Sequence, residues 1–152
     1  MIDVKLEMTY DPYGKLPHYI LATGEHHGVK FYVCNINGCH PTAYIRIPKK
    51  KPLWFVDYTE CDEYIEVHGG FTYGRDSLAG VENDDDSWFI GWDYGHYGDY
   101  AGYYAREPEG FLARHNKKWT TDEIIAECER VCEEVAKLWE AENTPEVTDV
   151  NM

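Results

Sequence analysis

The stretch Trp119-Thr120-Thr121-Asp122-Glu123-Ile124-Ile125-Ala126-Glu127-Cys128 decides the fold. Thr120 can cap free N–H groups, Glu123 sits three residues later to close a capping box, and Trp119 can staple onto Ile124. Apolar residues then fall at Ile124, Ile125, Cys128, Val131, Cys132, Val135, Leu138 and Trp139. That is one stripe of a 3.6-residue helix, with Glu127, Glu129, Arg130, Glu133 and Glu134 turned outward. The pattern predicts a helix over Thr120–Glu142 lying across a sheet. The remainder, 143–152, lacks periodicity and is expected to fray.

Upstream of this helix the period changes to two. Thr42–Ile47 places Ala43, Ile45 and Ile47 on one face and Tyr44 and Arg46 on the other, as a half-buried strand does. His18–Thr23 and Val29–Asn35 are β-rich runs joined by the hairpin loop Gly24–Gly28. Tyr64–His68 alternates similarly, Ser87–Asp93 is an aromatic-rich run suited to a central strand, and Gly74–Asp86 reads as a loop. Strands first and one long helix last predict a single α+β domain over 1–142, with a mainly antiparallel sheet.

The 152 residues, 43% hydrophobic and 28% charged, suffice for a real core. No apolar run is long enough to span a bilayer, and Met1–Glu7 lacks a signal-peptide pattern, so a cytoplasmic protein is expected. A formal charge of −14 argues against binding to a nucleic-acid backbone. Five cysteines without an export signal argue against a disulfide framework, and Cys128 and Cys132 fit as small core hydrophobes. Cys34, Cys39, His40 and Cys61 offer a zinc set on paper, yet their spacing contains no C-x-x-C pair.

Two segments combine groups of catalytic type with glycines and aromatics. The first is Val67-His68-Gly69-Gly70-Phe71-Thr72-Tyr73. The second runs from Trp88 to Tyr100, where Asp93, His96 and Asp99 recur every three residues between Gly91, Gly95 and Gly98. Carboxylates and an imidazole this close in sequence can converge on one metal ion or one reacting atom. A plainer interpretation has the same side chains bonding nearby turn backbone. Gly38–Tyr44 is a weaker constellation, better explained by a proline turn entering a strand.

Taken together, Cys39–Tyr44, Val67–Tyr73, Trp88–Asp99 and Lys118–Thr121 with the closing helix resemble a family of small proteins of bacteriophages and mobile elements. The resemblance spans roughly residues 25–140. It implies a phage-type origin and favours a host-directed, counter-defence role in the host cytoplasm.

Three functions stay open. The first is binding of a nucleotide-like small molecule, which needs no cofactor and would sequester a host signal. His68, Gly69, Gly70, Thr72, Tyr73, Trp92, His96 and Tyr97 would form that pocket. The second is a hydrolase of nucleotides or phosphodiesters. There a divalent metal on Asp93, His96 and Asp99 activates water, with His68 as catalytic acid or base. The third is direct inhibition of a host protein by an acidic face built from Glu82–Asp86 and the helix's outer glutamates. Binding ranks first on sequence alone. Convergence of His68, Tyr73, Asp93, His96 and Asp99 around one pocket is expected in either of the first two.

Overall fold

Six strands pair into one antiparallel sheet in a computed structural model that describes residues 2–10, 17–36, 40–96, 99, 117 and 119–143. They are β1 (Ile2–Tyr10), β2 (Pro17–His26), β3 (Val29–Ile36), β4 (His40–Ile47), β5 (Tyr73–Arg75) and β6 (Trp88–Asp93). The spatial order is β1-β2-β3-β4-β6-β5, so β6 inserts between β4 and the short edge strand β5. A helical turn, α1 (Tyr58–Cys61), and the long α2 (Thr121–Asn143) complete the described elements. The chain is α+β, as its periodicities predict. No helix among the described residues is long and apolar enough to cross a membrane.

Tight turn chemistry sets the first hairpin. His26 pairs with Val29, so only His27 and Gly28 form the loop, at φ 53 and φ 77. Two consecutive left-handed residues are what a type I′ hairpin demands, because that turn matches the twist of its strands. β4 keeps its predicted alternation. Ala43, Ile45 and Ile47 are all 0% exposed on the face beneath α2, and Tyr44 looks to the other side.

The capping box at the start of α2 forms as read. Thr120 N–H donates to Glu123 Oε1 at 3.1 Å, and Glu123 N–H donates to Thr120 Oγ1 at 3.2 Å. Ile124, Cys128, Val131, Cys132 and Val135 are buried against Val29, Phe31, Val33 and the β4 residues. Opposite them, Ile20, Tyr32, Cys34, Tyr44, Leu78 and Phe89 make a second apolar cluster. The loop after β5 is held onto this second face by Arg46. Its guanidinium bonds Tyr32 Oη, Ser87 Oγ, the Glu82 carbonyl and Asp85 Oδ1, and lies 5.2 Å from the Phe89 ring centre.

Three expectations need correction. The loop expected over Gly74–Asp86 gives its first two residues to β5, where Gly74 and Arg75 pair with Ile90 and Phe89. Tyr64–His68 is not a strand, although its burial does alternate, with Ile65 and Val67 buried and Tyr64 57% exposed. The segment follows α1 and lies against the core beside α2. There the Glu66 carbonyl accepts from Arg130 rather than from a strand. The cysteines do not assemble a zinc site among the described residues. Cys34 and Cys61 sit in separate core clusters, and Cys39 lies outside the described residues. Of the segment expected to fray, Asn143 ends α2 and the rest lies outside the described residues.

Candidate metal centre

The turn at His68 is shaped by its glycines. Gly69 and Gly70 take φ 71 and φ 82, which folds the chain back after Val67. Gly70 N–H donates to the Val67 carbonyl at 3.0 Å, and Phe71 N–H donates to Asp62 Oδ1 at 2.8 Å. The bare face of Gly69 is filled by the His96 ring, since a Cβ there would stand 2.2 Å from His96 Cε1. Glycine at this position therefore permits contact between the two distant segments.

The second segment arrives from the end of β6. Tyr94 N–H still bonds the Pro41 carbonyl at 2.9 Å, extending the pairing with β4. The Asp93 carboxylate then accepts from Gly95 N–H at 3.0 Å and closes a short turn. His96 and Asp99 follow, and Asp99 N–H bonds the His96 carbonyl at 2.9 Å.

Asp99 is the hub of the arrangement. It is 7% exposed, and its carboxylate accepts from Trp119 Nε1 at 2.8 Å, His68 Nε2 at 2.9 Å and His96 N–H at 3.0 Å. His96 Nδ1 lies 3.3 Å from the same Oδ2. Burial pushes this carboxyl up, but the bonds from His68, His96 and Trp119 outweigh it and hold it below the ordinary carboxylate value. An ionised carboxylate only accepts, so His68 carries its proton on Nε2 in this arrangement. The His68 ring is stacked on Tyr94, with ring centres 4.8 Å apart and planes 10° from parallel.

Asp93 stands one step further out. Its Oδ1 lies 3.4 Å from His96 Nε2, the nitrogen turned away from Asp99, and its Oδ2 accepts from Thr72 Oγ1 at 3.0 Å. The side chains thus run Thr72, Asp93, His96, Asp99, His68, with Trp119 joining at Asp99. Ligand atoms of His68, His96 and Asp99 all fall within 4.8 Å of one another. The chain matches no family model, no curated protein and no solved structure. What the site can do rests on its own chemistry.

Two imidazoles and a carboxylate are the donor set of many transition-metal sites. With bonds of about 2.0–2.2 Å, donors at right-angled to tetrahedral positions stand about 2.8–3.6 Å apart. The 2.9 Å from His68 Nε2 and the 3.3 Å from His96 Nδ1 to Asp99 Oδ2 fall inside that window. Ligating histidines ordinarily have their other nitrogen beside a carboxylate, and ligating carboxylates are themselves hydrogen-bonded. Asp93 beyond His96 and Trp119 on Asp99 supply those outer partners.

A groove of about 830 Å³ lies between 66–69 and the first turns of α2 and meets the cluster at His68, with Glu66, Tyr94, Trp119, Glu127 and Arg130 among its other lining residues. Its charges are largely matched. Arg130 bonds Glu127 and Glu134, and Lys117 bonds Glu123 at 2.7 Å while its Nζ lies 3.9 Å from the Trp119 ring centre.

The structure brings together His68, Gly69, His96 and Asp99, with Asp93 and Thr72 behind them. It does not bring Tyr73 or Trp92. Tyr73 donates its hydroxyl to the Ser77 carbonyl and sets its ring edge on Tyr44, on the face away from α2. Trp92 is 1% exposed in the core and donates to Tyr94 Oη at 3.0 Å. Tyr97 lies outside the described residues. Sequence reasoning missed Trp119 as a site member and counted Tyr94 only among the aromatics that could line a pocket. An indole just before a helix cap was read for its apolar ring alone, although its N–H also needs an acceptor.

Proposed function

We propose that this chain is a metal-dependent hydrolase whose divalent ion is held by His68 Nε2, His96 Nδ1 and the Asp99 carboxylate. The observation that carries the reading is the convergence of these three groups, with outer-sphere partners in place, beside an open groove that His68 lines. Three protein donors, of which His68 lines the groove, would leave a position for water, as catalytic rather than structural zinc sites do. A divalent ion held there would lower the pKa of that water toward neutrality. The chemistry such an ion would supply is attack of its water on a phosphoryl centre, with the displaced oxygen protonated from solvent in the groove. An ion on His68 Nε2 would require the ring's proton on Nδ1, a change of tautomer with no net proton release.

Simple nucleotide binding is supported less well. It would draw on the backbone amides after His68, yet those of Gly70 and Phe71 are spent on Val67 and Asp62, and that of Gly95 on Asp93. The acidic-face reading is also weakened, because Asp85 and Asp86 pair with Arg46 and Lys49. The substrate class, a phosphodiester or nucleotide signal of a host, follows the resemblance to phage proteins.

The test is to load the chain with Zn²⁺, Mn²⁺ or Mg²⁺ and assay bis(p-nitrophenyl) phosphate and a panel of cyclic and ADP-ribose-type nucleotides. Turnover should vanish with chelator and fall at least 100-fold in His68→Ala and Asp99→Asn. Absence of turnover with every ion, or turnover indifferent to chelator, would remove the hydrolase reading. Release of intact nucleotide on heating would restore the binder.

A further inference from the structure

A second group of metal donors sits away from the groove. The hairpin turn presents His26 and His27 side by side, their ring centres 4.5 Å apart and their planes 80° from parallel. Both imidazoles approach one carboxylate oxygen on the outer face of α2. His26 Nε2 is 3.0 Å from Glu133 Oε1, and His27 Nε2 is 3.7 Å from the same atom. One helical turn earlier, Glu129 Oε2 lies 3.8 Å from the other nitrogen of His26. The first pair is 107 residues apart in sequence, so the contact is made by the fold.

The turn itself does not ask for histidine. Residue 27 sits at φ 53, where asparagine, aspartate or glycine is the usual occupant of a two-residue hairpin. An imidazole there gives up turn propensity and places a nitrogen beside a second imidazole and a carboxylate. The ligand atoms of His26, His27 and Glu133 lie within 4.8 Å of one another. Small rotations of these half-exposed and exposed side chains would bring all three to bonding distance of one ion.

We infer that His26, His27 and Glu133 form a second divalent-metal site, selective for borderline ions such as Zn²⁺ or Ni²⁺, that clamps the β2–β3 turn onto α2. The donors are two imidazoles and one carboxylate with no thiolate, which favours these ions over Mg²⁺ or Ca²⁺. Glu129 is placed behind His26 as the outer carboxylate that fixes which nitrogen is free. The site is distinct from the groove cluster. Glu133 lies ten residues beyond Glu123, about 15 Å along the helix axis. Because its ligands are exposed, it binds reversibly and serves the fold rather than the reaction.

Zinc titration calorimetry on the intact chain, on His27→Asn and on Glu133→Gln tests this. His27→Asn puts a preferred residue in the turn, so it should fold at least as well while lacking the ligand. The expected result is loss of one zinc equivalent, or at least a tenfold weaker phase, in both variants. The other equivalent should be retained and should disappear only in His68→Ala. Isotherms of His27→Asn and Glu133→Gln that match the intact chain would overturn the clamp site without touching the groove cluster.

Discussion

The contact between Gly69 and His96 can be probed with a single methyl group, using a second glycine as the control. Gly28→Ala adds a Cβ at φ 77 with nothing within 4 Å, so it carries only the cost of left-handed backbone. That cost is about 1–2 kcal/mol. Gly69→Ala adds the same strain at φ 71, but its Cβ would lie 2.2 Å from His96 Cε1 and 2.5 Å from Nε2. The ring must move, and with it go the approaches to Asp99 at 3.3 Å and Asp93 at 3.4 Å. Each such contact is worth about 0.5–1.5 kcal/mol. Gly69→Ala should therefore lose about 3 kcal/mol where Gly28→Ala loses about half that. In a chain of this size the difference is read as melting temperatures lowered by roughly 9 °C and 4 °C. Metal affinity at the groove should fall about 10–100-fold in Gly69→Ala, as when outer-sphere partners are displaced. Metal-free thermal melts and zinc titrations supply both numbers. If the two variants melt together and Gly69→Ala binds zinc normally, His96 is not seated on Gly69 and the shared site is wrong.

Three further outcomes concern the rest of the fold. Arg46→Met should cost about 2–4 kcal/mol in urea unfolding, because it leaves several partly buried polar partners without a donor, whereas Asp85→Asn should cost under about 1 kcal/mol because Asp85 is 59% exposed. Its bond to Arg46, more than the one from Ser87, holds the Asp85 carboxyl below its ordinary value. A depressed folded-state value means a contribution present above the unfolded carboxylate range, near pH 4, and lost as pH falls through the folded value. Asp85→Asn should accordingly flatten the stability curve slightly below pH 4, and an unchanged acid limb would refute this. Burial pushes the thiols of Cys61 and Cys132 up to about 12 and raises Cys34 and Cys128 as well. These four should react with a disulfide reagent at pH 8 only after denaturant is added, so rapid labelling of any of them in the native chain would count against their packing.

The legible parts of this fold were those where one local pattern left a single solution. The α2 stripe and its Thr120–Glu123 box specify a helix and its buried side without reference to anything distant. Thr42–Ile47 likewise fixes both its conformation and its inward face. Tyr64–His68 shows the limit. Alternating burial is produced equally by a strand in a sheet and by extended chain lying on a core, and only the destination of its backbone hydrogen bonds separates the two. The candidate site was half legible. His68, His96 and Asp99 were singled out by residue type, and Asp93 was placed with them. The sequence could not tell that Asp93 would stand behind His96 while His68 took the place beside Asp99. That exchange depends on the Gly69 turn touching the segment after β6, a contact between residues 27 apart. Trp92 falls in the core and away from the pocket for a related reason. Flanking glycines suggest a pocket, but in β6 they make room for neighbours, since a Cβ at Gly91 would collide with Tyr44.

Because Asp99 takes its partners from His68, from its own turn and from the indole that precedes α2, the unfolded chain possesses no version of this cluster. Any molecule that occupies it must favour the native state alone, apart from weak capture of metals by loose histidines and cysteines. At a hundredfold excess over its dissociation constant, such an occupant adds about 2.7 kcal/mol. That is worth roughly 5–11 °C in a melt of a chain this long. The dispersed origin of the cluster thus makes heat denaturation a way to search among unknown substrates. A library of metabolites can be screened for the one that delays unfolding of the intact chain and does nothing for Asp99→Asn.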